Sequence, residues 1–318
     1  MKIILANPRG FCAGVSRAIE IVDKILEKEL KPVYVRHEVV HNKAIVDSFK
    51  KKGAIFIKEL EEIPDSSVCI FSAHGVSQKV RSNAKHKKLR VFDATCPLVT
   101  KVHREVKKAS NNGIECIFIG HKGHPEVEGT LGQYTNKYAG IYLVESISDI
   151  DRLKIKDPNR LSYATQTTLS IEETTSIIKA LKQKYPHINA PKKQDICYAT
   201  QNRQDAVRKL VKKVDIFLIV GSNNSSNSNR LYELAKFFNI DAYLIDHSNN
   251  IDLSWFKNKK ICAITAGASA PEYIVQEVIK FLKENFKNST VEDFKGTKEE
   301  IQFPLPKLLK QLRPTGIF

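Results

Sequence analysis

The chain has 318 residues, enough for two or three compact units, and 42% of them are hydrophobic, the balance of a soluble globular protein rather than a disordered one. The opening MKIILANPRG is too short an apolar run for a signal peptide and no later run reaches membrane length, so a cytoplasmic home is expected, where six cysteines serve as ligands, nucleophiles or core residues rather than disulfides. A net charge of +16, spread over lysine-rich runs at 50–52, 85–88 and 257–260, fits solvated surface, attraction of an anionic small molecule or acidic protein, or nucleic-acid binding.

Short apolar runs alternate with amphipathic stretches, the pattern of parallel strands joined by crossover helices. In chain order the candidate strands are 3–6 (IILA), 32–37 (PVYVRH), 68–73 (VCIFSA), 90–94 (RVFDA) and 115–120 (ECIFIG). They continue with 140–145 (GIYLVE), 160–165 (RLSYAT), 216–221 (IFLIVG), 241–246 (DAYLID) and 260–266 (KICAITA). Between them, 98–110 and 204–213 have helical spacing with polar outer faces.

The chain also repeats itself. Three segments run from a strand end through a cysteine into a helix: LANPRGFCAGVSRA at Cys12, FDATCPLVTKV at Cys96 and DICYATQNRQDAV at Cys197. A second loop type follows 29, 28 and 28 residues later, at His41, His124 and Ser225. A third follows 62, 71 and 72 residues after the cysteines, at His74, Thr167 and Ser269. Three loop types in three copies predict an α/β fold of three pseudo-threefold-related domains with small parallel sheets around a shared centre. The loops would lie beyond the carboxyl ends of the strands, where open parallel sheets bind ligands. The boundaries fall at 14–96 for the first domain and 97–193 for the second. Residues 1–13 with 194–284 form the third, and a charged, Pro-containing tail covers 285–318.

Cysteine thiolates are metal ligands or nucleophiles, and no CxxC or Cys-His pair has zinc-finger spacing. Cys69, Cys116 and Cys262 sit inside apolar strand runs and read as core. Cys12, Cys96 and Cys197 instead stand at strand ends beside Gly, Pro or Thr, where loops begin. Three sulfur ligands on equivalent loops suit a cubane iron–sulfur cluster with one iron left open to a substrate oxygen.

The companion loops are rich in His, Ser, Thr and Asn, with Gly75, Gly123, Gly221 and Gly267 letting backbone approach a ligand. Each runs from a strand end into a helix, so backbone N–H groups and the helix dipole favour an anion there. Glu126, two residues after His124, fits either a surface carboxylate at a helix start or a protonated acid that serves a leaving hydroxyl, with Glu128 as its competitor.

Taken together, NPRGFCAGV, VRHEVVHN, FSAHGVS, FDATCPLVTKVH, IGHKGHPEVEGT, TQTTLS, DICYATQNRQ, GSNNSSNSNRL and TAGASAP closely resemble the 4-hydroxy-3-methylbut-2-enyl diphosphate reductase family of the non-mevalonate isoprenoid pathway, from residue 7 to residue 271. The resemblance implies a trefoil of three α/β domains around one 4Fe-4S cluster per chain, held by Cys12, Cys96 and Cys197. It implies a small-molecule diphosphate held by His41, His74, His124, Ser225, Ser226, Asn227 and Ser269, with Thr167 near the substrate hydroxyl and Glu126 as proton donor. The implied reaction is a reductive dehydroxylation that yields isopentenyl and dimethylallyl diphosphate. Its electrons would come from ferredoxin or flavodoxin, because the chain has no G-x-G-x-x-G fingerprint of its own. Competing readings are an iron–sulfur hydro-lyase acting on a small phosphorylated hydroxy compound and a nucleic-acid-binding protein. The expectation is that neither nucleic acid nor membrane is a partner.

Overall fold

The structure, a computed structural model, describes residues 1–28, 32–306 and 309. Strands and helices alternate as β1 (Lys2–Leu5), α1 (Ala13–Lys28), β2 (Val33–Arg36), α2 (Lys43–Lys51), β3 (Ala54–Ile57), β4 (Val68–Phe71), α3 (Gln78–His86), β5 (Arg90–Asp93) and α4 (Pro97–Asn111). Then come β6 (Glu115–Ile119), α5 (Pro125–Leu131), β7 (Ile141–Val144), α6 (Ile147–Asp151), β8 (Leu161–Thr165) and α7 (Ile171–Lys184). The last elements are α8 (Tyr198–Leu210), β9 (Ile216–Val220), α9 (Ser226–Phe237), β10 (Asp241–Ile245), β11 (Ile261–Ala266), α10 (Glu272–Asn285) and β12 (Thr290–Asp293). Among the described residues no helix is long and apolar enough to cross a membrane.

The chain divides into two compact units. One comprises Met1–Val15, His41–Ala44 and Tyr198–Gln302. Its sheet has the order β10-β9-β11-β1-β12, with every pairing parallel. Alternate residues face opposite sides, so one strand serves two cores. Ile3, Leu5, Leu218 and Ile264 pack on Val275, Val278 and Leu282 of α10, while Ile4, Phe217, Ile219 and Ala263 pack on Val207 and Leu210 of α8 and Leu231 of α9. A sheet covered on both faces needs strands apolar throughout, which is why IFLIV in β9 is buried at every position.

The other unit comprises Ser16–Val40, Ile45–Cys197 and the described chain from Phe303 onward. It holds two parallel sheets, of order β3-β2-β4-β5 and β7-β6-β8. Cys69 and Phe71 of the first sheet pack with Ala84 of α3. In the second, Cys116 and Phe118 face Val102 and Val106 of α4, and Ile117 and Ile119 face Ile177 and Leu181 of α7. The two sheets' loops meet where Gln133 donates to the carbonyls of Val76 and Gly129 at 2.7 and 2.8 Å.

The ten strands expected from the sequence are present within a residue or two at each end. Two more, β3 and β12, are edge strands, and their solvated side carries residues such as Ile55, Glu292 and Asp293. β12 lies within the stretch that the sequence pattern sets aside as a tail, and it pairs with β1 in parallel. Helix α8 starts at Tyr198 rather than near 204, because its first turns bury Thr200 and Arg203 as well as Ala199. That polar burial hides the helix from a pattern built on apolar spacing.

Close backbone approach fixes two glycines. A Cβ at Gly221 or Gly267 would stand 2.1 or 2.0 Å from Oγ of Ser228, where α9 abuts the ends of β9 and β11. We expect Gly267→Ala to lower stability by about 1–3 kcal/mol in denaturant titration, as overpacking does, and Ser228→Ala in the same chain to recover much of it. Equal loss with and without Ser228→Ala would show that the clash is not the cause.

Candidate active site

Within the first unit, Cys12 follows β1 and immediately precedes α1. Its amide donates to the Ala268 carbonyl at 3.2 Å. The loop is held from beneath by Arg203, a fully buried guanidinium whose Nε and Nη2 donate to the Gly10 carbonyl at 3.2 and 2.7 Å. Glu299 balances that charge, accepting from Nη1 at 3.0 Å. A buried cation is tolerable only when paired and hydrogen-bonded, and here both conditions are met.

The same unit gathers five of the proposed substrate residues. Ser225 caps α9 and accepts from the Ser228 amide, and its hydroxyl lies 3.2 Å from that of Ser269. Ser269 donates to the His41 carbonyl at 2.9 Å. Asn227 takes the Ala268 amide at 2.8 Å and donates to Thr200 at 3.3 Å. Ser226 opens α9 and is half-buried. Two repeat loops and the His41 turn are thus tied into one hydroxyl- and amide-lined patch beside a helix N-terminus, a setting that favours an anion.

Within the second unit, Cys96 is the N-cap residue of α4, with its amide on the Ala73 carbonyl at 3.0 Å. The intervening loop carries His74 and then Gly75, whose φ of +80° and 2.5 Å Cβ approach to His103 Cε1 both demand glycine. His103 itself is buried, and desolvation pulls its pKa down to about 4, so it packs there as a neutral ring. His74 meets His124 edge to face with centroids 5.6 Å apart. His124 caps α5, and its Nδ1 accepts from the Glu126 amide at 3.1 Å. That bond makes Nδ1 the acceptor, which places the ring proton of a neutral His124 on Nε2.

Glu126 is 2% exposed. Its Oε1 accepts from the Thr167 amide at 2.7 Å and its Oε2 pairs with the Thr167 hydroxyl at 2.9 Å. Burial is the largest influence and pushes the carboxyl up to about 7, against the two Thr167 bonds that favour the anion and with nearby Asp195 opposing it. Thr167 in turn accepts the Cys197 amide on its carbonyl at 3.0 Å. Glu128, the competitor from sequence, is exposed on the opposite side of the short helix turn.

The cysteines sort into two kinds. Cys69, Cys116 and Cys262 are buried, and desolvation raises the first two thiols to about 12 and the third further. Cys12, Cys96 and Cys197 are only partly buried, unpaired by disulfides, and each is the residue just before a helix. Among the described residues no three His, Cys, Asp or Glu side chains form a site for a single metal ion. The sequence pattern missed Arg203, Glu299, Lys101 and Asp195, because each works through partners remote in the chain.

Comparison with known proteins agrees with this arrangement of loops. The LytB protein family matches residues 3–283. Proteins of Francisella tularensis subsp. tularensis (strain WY96-3418) and subsp. novicida (strain U112), both named 4-hydroxy-3-methylbut-2-enyl diphosphate reductase, are 63% identical over 316 and 317 residues, covering 99% of each chain. The solved E-1-hydroxy-2-methyl-but-2-enyl-4-diphosphate reductase from Plasmodium falciparum superposes with a TM-score of 0.93 at 40% identity, over 98% of this chain and 97% of that one. A second solved structure, described as the terminal enzyme of the non-mevalonate pathway, gives 0.64 at 32% identity over 89% of this chain and 99% of that one. With the match spanning the three cysteine loops and every companion loop between them, the chain belongs to the LytB protein family.

Proposed function

We propose that this LytB-family oxidoreductase converts 4-hydroxy-3-methylbut-2-enyl diphosphate into isopentenyl diphosphate and dimethylallyl diphosphate, with Cys12, Cys96 and Cys197 as the ligands of one 4Fe-4S cluster. The observation that carries the reading is a buried carboxyl, Glu126, which burial raises to about 7 and which is bonded through Thr167 to the turn that bears Cys197. The names of the relatives support the substrate. The donor set supports the cluster, since three partly buried thiols at helix starts stand apart from three inert core thiols. When bound, such a cluster supplies single electrons and an iron without a protein ligand, a Lewis acid for the substrate hydroxyl.

The chain's own residues then have separable tasks. His41, Ser225, Ser226, Asn227 and Ser269, with His74 and His124, bind the diphosphate through side-chain N–H and O–H donors and helix N-termini. Such donors suit an anion that must be released as product. Thr167 orients the substrate hydroxyl and Glu126. Glu126 gives its proton to the hydroxyl, so that the group leaves as water when the C–O bond breaks. Two electrons and two protons enter in all, and the second proton goes to either end of the allylic carbon skeleton, which accounts for two products. A ferredoxin or flavodoxin supplies the electrons one at a time. The division into copies 14–96, 97–193 and 1–13 with 194–284 belongs to the same reading, supported by one parallel sheet in each copy.

Protein purified without oxygen should carry about four iron and four sulfide per chain, and should turn substrate over only with a reductant. Product formed without reductant would favour a hydro-lyase, and a metal-free chain that is active would overturn the cluster.

Glu126→Gln should retain the cluster and lower kcat by about 10²- to 10⁴-fold. The parent's kcat should fall as pH rises through about 7, where Glu126 loses its proton. Stability follows the same sign. The folded chain holds a proton that the unfolded chain releases near the ordinary carboxyl value, so this group's contribution declines as pH rises from that value to about 7. Denaturant midpoints across that window should flatten in Glu126→Gln, and a Gln variant with parental kcat and slope would remove Glu126 from the mechanism.

A further inference from the structure

The second unit contains a feature that none of these assignments uses. Lys101 lies on α4, five residues beyond the Cys96 cap, and its ammonium donates to three successive residues of another segment: the Lys193 carbonyl at 2.6 Å, the Gln194 carbonyl at 3.2 Å and Asp195 Oδ1 at 2.7 Å. An ammonium has three donors, and all three are spent on this one stretch. The Asp195 side chain is fully buried, and its other oxygen accepts the Thr165 amide at 2.9 Å. Thr165 ends β8, and two residues later Thr167 receives the Cys197 amide. The stretch 186–197 has no regular helix or strand of its own, and beyond the bridge of Asn189 to β8 the turn 190–197 has no ladder. Glu105, one turn further along α4, stands 3.6 Å from the same ammonium, so the cation faces two carboxylates and two carbonyls.

We infer that the pair of half-buried Lys101 and buried Asp195 is a positioning device that fixes the Cys197 turn relative to the helix capped by Cys96, and so governs how firmly the cluster is held. The inference rests on the proposed cluster ligation. Both proposed ligands and the pair belong to one compact unit, and no residue of the pair touches the cluster or the substrate in this role. A point charge that accepts no bond of its own suits the task, because it draws in carbonyl and carboxylate oxygens with equal readiness and fixes a turn that has no ladder. Lys101→Met leaves Asp195 buried without its cation, which threatens folding itself. The informative variant is therefore Lys101→Met with Asp195→Asn, where a neutral pair keeps the Thr165 amide bonded and abolishes the tie to 193 and 194.

The experiment follows iron release from anaerobically purified protein into a chelator, together with the low-temperature spectrum of the reduced cluster and the thermal midpoint of the cluster-free chain. The double variant should lose iron several-fold faster than the parent and show an altered spectrum, with a cluster-free midpoint close to parental. Lys101→Arg, which keeps the charge, should restore much of the retention. Parental release and spectrum in the folded double variant would overturn the inference. If the parent itself holds no iron or sulfide, the cluster reading has failed instead, and the two failures are told apart by that first measurement.

Discussion

Parallel pairing is the constraint from which the rest follows. Every strand pair among the described residues runs parallel, so within each sheet all carboxyl ends lie along one edge. The loop residues singled out from sequence leave those ends. Cys12 follows β1, His41 follows β2, His74 follows β4, Cys96 follows β5, His124 follows β6, Thr167 follows β8, Ser225 follows β9 and Ser269 follows β11. Most run on into a helix, so a single topological rule supplies cysteines and anion donors with the positive end of a helix dipole. The cores serve this edge by being apolar on both faces, which leaves polar chemistry no place except the loops.

Three of the polar groups that enter the interior have partners that fix a loop. Arg203 reaches the Gly10 carbonyl from a residue 193 positions away, and Glu299 closes its charge. Lys101 and Asp195 tie α4 to the end of β8. Glu126 is the exception in kind, because desolvation wins over its two hydrogen bonds and keeps the carboxyl near neutrality. The first two arrangements hold charge in place, whereas the third makes the charged state costly. That difference separates positioning groups from one able to give up a proton.

How much of this was legible in the sequence depends on whether the signal was local. Strands such as IFLIV and ECIFI announce themselves, because burial on both faces requires unbroken apolar runs. The sorting of cysteines also follows from neighbours: VCIF, ECIF and KICAI place the thiol inside such a run, whereas Cys96 precedes Pro97 and a helix. Edge strands β3 and β12 lack the pattern, since one side of each meets solvent. Arg203, Lys101 and Asp195 were illegible for a different reason. Their partners are largely backbone carbonyls and amides, which leave no trace in residue identity, and the ties to Thr165, Lys193 and Gly10 span 30, 92 and 193 positions. His103 has no counterpart in the repeat, yet its burial against Gly75 explains why the His74 turn needs a glycine.

The repeat has a further consequence for how the three copies differ. The second loop type offers His41, His124 and Ser225, and the third offers His74, Thr167 and Ser269, so equivalent backbone positions carry imidazole in some copies and hydroxyl in others. A symmetric set would surround a ligand with like donors. The copy that carries His124 instead places a carboxyl two residues on and buries it against Thr167 of its own third loop. In the copy with Ser225 and Ser269, the equivalent hydroxyls bond to each other, and neither faces a carboxylate in that pairing. Identical topology therefore yields a loop pair that buries a carboxyl in one copy and a loop pair lined by hydroxyls in another, so the chemistry of each copy is set by the few side chains its loops carry and not by its backbone.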